Sequence, residues 1–172
     1  MNIREELLRE HSKENAERIA KYACSSKKNF DELMKCFFGN DHRVAQVAGY
    51  SVSKAVKLHS RLIEPYLKEV IQQLKRKDVH GAVIRNAVNI LELIDTPEEY
   101  HGEVMNACFG FIQNPSTEIA VRASSLTILS NLSKIYPDIK KELKLIIEER
   151  WDTETAAFKL RGKKILKAFS SE

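Results

Sequence analysis

The side chains able to do chemistry are scattered along this chain rather than gathered. Five histidines, His11, His42, His59, His80 and His101, form no H-E-x-x-H pair and stand at no metal-ligand spacing from a cysteine. They read as surface or capping residues. Cys24, Cys36 and Cys108 are odd in number and far apart, the pattern of small core residues rather than of a disulfide framework or a zinc site. Gly162-Lys163-Lys164 lacks the upstream glycine of a phosphate-cradling loop, and no G-x-S-x-G elbow presents a serine nucleophile. Glu98-Glu99 and Glu148-Glu149 fall at helix ends, where they read as solvated charge, the first pair favoured by a positive helix N-terminus. These patterns argue against an enzyme and imply no cofactor and no metal.

Two basic clusters remain. Lys75-Arg76-Lys77 reads as a turn between helices. The run KLRGKKILK, residues 159–167, holds five cations and no acid. The plain reading is a solvated end cap. The sharper one is a contact with phosphate or nucleic acid, because lysine and arginine neutralise phosphates. The net charge of +4 over 172 residues is modest and permits an acidic partner without demanding one.

The elements that carry these residues are helices. From Asn114 to Lys134, Val121, Ser125, Ile128, Leu132 and Ile135 recur at alternating spacings of four and three, on one helical face. Ile119, Ala123 and Leu126 add a second stripe, so the apolar arc is wider than the roughly 100° of an ordinary surface helix. Ser124, Thr127, Asn131 and Lys134 are left as a narrow polar lane. Such a helix, with Ser116 or Thr117 as its expected cap, suits the inner layer of a stack of helix pairs.

The pattern repeats. Shifted back 38 residues, Val83, Ala87, Val88, Ile90, Leu91 and Ile94 fall under it; shifted forward 37, Phe158, Gly162, Ile165, Leu166 and Phe169 do. A looser copy holds Val44, Ala48, Val52 and Ala55. The outer helices keep step, with Ile63, Leu67, Val70 and Ile71 recurring as Tyr100, Val104, Ala107 and Cys108, then as Ile139, Leu143, Ile146 and Ile147. A period near 38 marks a helical solenoid.

Residues 1–28 are expected to form N-terminal capping helices, with Ser12 capping the second, and residues 29–172 the repeats of one domain. Asn29 with Glu32 resembles a capping box, Gly39 a stop, and Asp41 the next cap. Pro97 and Pro137 suit first helical turns, with Thr96 as a cap, and Pro65 either does the same or kinks a helix begun at Leu62. Gly49 reads as close packing against a neighbouring helix or as room for a ligand. Trp151 reads as a packing anchor rather than a base-stacking platform. No apolar run reaches the ~18 residues of a membrane span, and the charged N-terminus lacks a signal-peptide core, so a cytoplasmic location is expected.

At this point DHRVAQVAGYSVSKAVKL, DVHGAVIRNAVNILELI and TEIAVRASSLTILSNLSK resemble HEAT repeats of the armadillo-type α–α superhelix, over residues 29–170. Arg85, Arg122 and Arg161 stand at helix starts in the manner of the HEAT arginine. The layout is also similar to small bacterial HEAT-like proteins, some labelled adenylosuccinate lyase. Here Ser124-Ser125 runs straight into Leu126-Thr127-Ile128 inside a helix, so the lyase signature loop is missing. The resemblance implies an all-α superhelix of four helix pairs plus N-terminal caps, binding a protein or peptide on its concave face and doing no chemistry. If the second helices line that face, the candidate binding residues are Tyr50, Lys54, Asn86, Asn89, Ser124, Thr127, Asn131, Arg161 and Lys164. Nucleic acid held by the C-terminal basic helix is the alternative partner.

Overall fold

The computed structural model describes residues 1–76 and 81–171, so Lys77 and His80 lie outside the described residues. Among these the protein is all α-helical, with ten α-helices, three short 3-10 segments and no strand. It divides into two compact units, Met1–Asp95 and Thr96–Glu172.

The first unit holds α1 (Ile3–Arg9), α2 (Lys13–Ala23), α3 (Lys27–Phe37), α4 (His42–Leu58), α5 (Leu67–Gln73) and α6 (Gly81–Glu92). Helices α3 and α4 pack as one pair and α5 and α6 as the next, while α1 and α2 cover α4 at the N-terminal edge. Side-chain caps set most of the starts: Ser12, Ser26 and Asp41 accept the backbone N–H of Asn15, Asn29 and Val44. Ser26, not Asn29, is thus the cap of α3; the Asn29 amide instead donates to the Tyr22 carbonyl and the Ser25 hydroxyl. Gly39 is no left-handed stop either, because among the described residues no residue has positive φ. Pro65 divides the helix expected from Leu62 onward into a 3-10 turn, Ser60–Tyr66, and α5. A proline ring disfavours helical backbone in the residue before it, so the chain turns tighter there before resuming.

The buried face of this unit is the one read from the repeat. Val44, Ala48, Val52 and Ala55 of α4 and Val83, Ala87, Val88 and Leu91 of α6 are withdrawn from water, with Phe30, Leu33 and Phe37 of α3. Gly49 lies against this core. A Cβ there would stand 2.5 Å from Asn86 Nδ2 and 2.7 Å from both Asn86 Cβ and Phe37 Cε2. The glycine lets α4 and α6 approach, and no room for a ligand remains at that point.

The second unit holds α7 (His101–Gln113), α8 (Ile119–Leu132), α9 (Ile139–Arg150) and α10 (Ala156–Phe169). Helix α8 packs on α7 and on α10, and α9 packs on α10. Val104, Cys108 and Ile112 of α7, Leu143, Ile146 and Ile147 of α9, and Phe158 and Ile165 of α10 fill the core around α8. Helix α8 starts at Ile119 without a side-chain cap, so neither Ser116 nor Thr117 serves. The preceding loop is held another way: Asn114 Oδ1 accepts the Ser116 N–H at 2.9 Å, and Arg122 donates to the carbonyls of Pro115 and Thr117. Pro97 and Pro137 stand just before their helices rather than inside the first turn. Thr96 makes no cap; its carbonyl accepts from the His101 ring.

Candidate functional site

The candidate residues divide between the two units. In the first, Tyr50 and Lys54 sit one turn apart on α4, both half-buried. The Lys54 ammonium lies 5.2 Å over the Tyr50 ring and 3.5 Å from Glu17 Oε1 on α2. Ring and carboxylate together hold the lysine stem along the helix. Asn89 on α6 is half-buried. Asn86 departs from the sequence reading. It is only 4% exposed, and its Nδ2 donates to the Gln46 carbonyl at 2.9 Å. It therefore belongs to the α4–α6 contact and not to an open lane, because the side-chain-free Gly49 draws the two helices together at that level.

In the second unit α8 and α10 bring two of the candidates together, with two more one turn beyond. Arg161 Nη1 donates to Thr127 Oγ1 at 2.5 Å, across the α8–α10 contact. Asn131, one turn beyond Thr127, is exposed and accepts from the Lys134 ammonium at 3.3 Å. Lys164, one turn beyond Arg161, is exposed as well. Ser124 is the second departure: it is 3% exposed, inside the packing of α8. Nine of the fourteen residues of α8 are buried, so its polar lane is shorter than the sequence periodicity implies.

The three HEAT-type arginines do not act alike. Arg122 is buried, and its Nη2 donates to Glu154 Oε2 at 2.9 Å. Arg150 holds the other oxygen, Glu154 Oε1, at 2.6 Å, and also donates to the Gln113 carbonyl at 3.1 Å. Burial pushes the Glu154 carboxyl up, but the hydrogen bonds from Arg122 and Arg150 outweigh it and hold it below its ordinary value of 4.5. This cluster ties the α7–α8 loop to the α9–α10 loop. It is structural. Arg161 reaches Thr127 instead, and Arg85 is half-buried on α6.

Of the histidines, His11, His42 and His59 are exposed, whereas His101 is neither the surface nor the capping residue expected. Its ring is buried, with Nε2 at 2.6 Å from the Thr96 carbonyl and Nδ1 at 3.0 Å from the Tyr136 hydroxyl. Among the described residues no group of histidine, cysteine and carboxylate side chains could hold a metal ion. A cleft of about 160 Å³ in the first unit is lined in part by Asn40, His42, Gln73 and Arg76; among the described residues its walls offer no carboxylate, hydroxyl or thiol.

The repeat geometry is matched by sequence. The family model described as HEAT repeat domain fits residues 3–169, nearly the whole chain. The chain belongs to the HEAT repeat family. No curated protein and no solved structure matches it. Within a HEAT repeat protein the packed helix pairs α3–α4, α5–α6, α7–α8 and α9–α10 are the repeating units. No described helix is long and apolar enough to cross a membrane.

One surface residue escaped the sequence reading. Leu160 on α10 is 60% exposed, the most exposed large apolar side chain among the described residues. Its signal was available: it lies outside the register Phe158, Gly162, Ile165, Leu166, Phe169 that packs α10.

Proposed function

We propose that this HEAT repeat chain is a non-enzymatic scaffold that binds a protein or peptide partner along the polar edge of its second helices. The observation that carries this reading is the meeting of Thr127 and Arg161 across α8 and α10, with Asn131, Lys134 and Lys164 exposed beside them. These groups fill no core, and together they offer hydroxyl, amide, guanidinium and ammonium groups at neighbouring turns. Partner backbones and carboxylates are the natural complements of such a row. Tyr50, Lys54 and Asn89 are the corresponding binding candidates of the first unit, taken by itself. The family supports a scaffold role, since HEAT repeats recur in interaction surfaces. The family match from residue 3 to 169 favours treating residues 1–172 as one domain, and the packing of α1 and α2 over α4 fits a cap over 1–28. A cytoplasmic location fits the three free thiols, which suit a reducing compartment.

The test pairs binding with stability. Asn131→Ala combined with Lys164→Ala removes two exposed groups from the row. Quantitative co-purification from the source cells should recover at least one protein with the natural chain and lose it with the variant, while the melting temperature stays unchanged. Equal recovery with both chains would refute the row as the binding surface.

A further inference from the structure

We propose that the outward arc of α10 docks an acidic amphipathic helix of a partner protein, with Leu160 as the apolar anchor and Lys163, Lys164 and Lys167 as its electrostatic clamp. This rests on the scaffold reading for the class of partner, but it names the partner's chemistry and centres on Leu160, sharing only Lys164 with the row proposed above.

The geometry follows from helical spacing. Lys163 and Lys164 lie three and four residues after Leu160, and Lys167 lies seven after, so all three ammonium groups neighbour the leucine on one side of the helix. Ala156 and Ala157 lie four and three residues before it and keep the arc low there. All six residues are exposed, while Phe158, Gly162 and Ile165 point the opposite face into the unit. Across its length α10 carries five cations and no acid, and Arg161 is directed to Thr127. No ion pair holds Lys163, Lys164 or Lys167 among the described residues.

Charge and shape select the occupant. A second α10 is a poor one, because face-to-face pairing would set three lysines of one copy against three of the other. A nucleic acid strand would use the ammonium groups but gain nothing from Leu160, and the arc has no arginine or aromatic ring on which a base could stack. A helix with apolar residues along one side and glutamates or aspartates flanking them satisfies both features. Its apolar side covers Leu160 over the alanines, and its carboxylates meet the lysines at the rim, as in helix-in-groove recognition.

Fluorescence anisotropy on the full chain tests this with a labelled synthetic helix bearing leucines at i, i+3 and i+7 flanked by glutamates. Three comparisons are run: the same peptide with its leucines replaced by serine, a labelled single-stranded oligonucleotide, and the chain variants Leu160→Ser and Lys163→Glu/Lys167→Glu. The expected result is saturable binding of the leucine–glutamate peptide, weakened about tenfold by Leu160→Ser, at least as much by the double charge reversal, and likewise by loss of the peptide's leucines. Circular dichroism melts of both variants should match the natural chain, since neither position is in the core. The proposal is overturned if the serine peptide binds as well as the leucine peptide, or if Leu160→Ser leaves affinity unchanged. It is also overturned if only the oligonucleotide binds, which would make α10 a phosphate-binding surface, or if Leu160 drives self-association on a sizing column. Peptide binding that is lost with Asn131→Ala/Lys164→Ala but kept with Leu160→Ser would sink this proposal and leave the scaffold reading standing.

Discussion

Arg122 and Glu154 form an ion pair at 2.9 Å with their side chains only 8% and 1% exposed, and Arg150 closes on the second carboxylate oxygen. The pair stands between two loops that follow one another along the repeat. The α7–α8 loop leaves backbone carbonyls, and the two guanidinium groups bond those of Pro115, Thr117 and Gln113 while sharing the one carboxylate that the α9–α10 loop supplies. Removing one member of such a buried pair leaves charge without its partner. Glu154→Ala should lower stability by about 3–5 kcal/mol, measured by urea denaturation of the natural chain and the variant side by side.

The same cluster predicts a pH dependence of defined sign. The folded Glu154 carboxyl titrates below its ordinary value of 4.5, so the unfolded chain takes up this proton first as acid is added. The stabilisation is complete above that value and is lost as pH falls through the lower folded value. The stability difference between the natural chain and Glu154→Gln should therefore be constant near neutrality and shrink below about pH 4.5. A difference that grew on acidification would mean that the carboxyl is held protonated in the fold.

At Gly49 the contact with Asn86 and Phe37 leaves no space for a methyl group. Gly49→Ala should gain helix propensity but lose more through overpacking, with a net cost of about 1–3 kcal/mol. Asn86→Ala should not rescue it, because the Asn86 Cβ that remains is itself 2.7 Å from the new methyl position. Rescue in a double-mutant denaturation cycle would show that the amide alone makes the clash.

Gly110 is the opposite case. It sits in the interior of α7, and a Cβ there meets nothing within 4 Å. Gly110→Ala should raise stability by about 0.5–1 kcal/mol, seen as a higher denaturation midpoint with an unchanged slope.

Cys108 is buried in the second unit, and burial pushes its thiol up to about 12, with the Ser125 hydroxyl opposing. Cys24 and Cys36 in the first unit are only part-buried, and burial raises their thiols as well. Iodoacetamide at mildly alkaline pH should label Cys108 far more slowly than Cys24 and Cys36 in the native chain, and all three at similar rates in denaturant. Peptide mass mapping over time separates the three sites.

What the sequence made legible was the packing, and for a physical reason. Repeat helices bury the same positions again and again, so Val83, Val121 and Phe158 announce one another at a fixed period. The family and the helix pairs follow from that. The polar lane was less legible. Asn86 and Ser124 occupy positions that periodicity assigns to solvent, but the missing side chain of Gly49 and the packing of α7 and α10 on α8 draw them inside. Local helix starts were missed where tertiary contacts replace sequence caps, as Arg122 does for the loop before α8. His101 was misread because its burial depends on Tyr136, 35 residues away. Leu160 could have been found as the one large apolar residue that the α10 register leaves over.

Trp151 lies over Gly162, where a Cβ on the glycine would stand 3.3 Å from the indole Cζ3 and 2.9 Å from Ile147 Cγ2. It is the only tryptophan in the chain. The seam between α9 and α10 thus carries a natural fluorophore with no other indole emission to obscure it. Loosening of the last helix pair alone should redden that emission, and events confined to the first unit should leave its colour unchanged. The C-terminal repeat can be watched by itself, in the intact molecule, without attaching a dye.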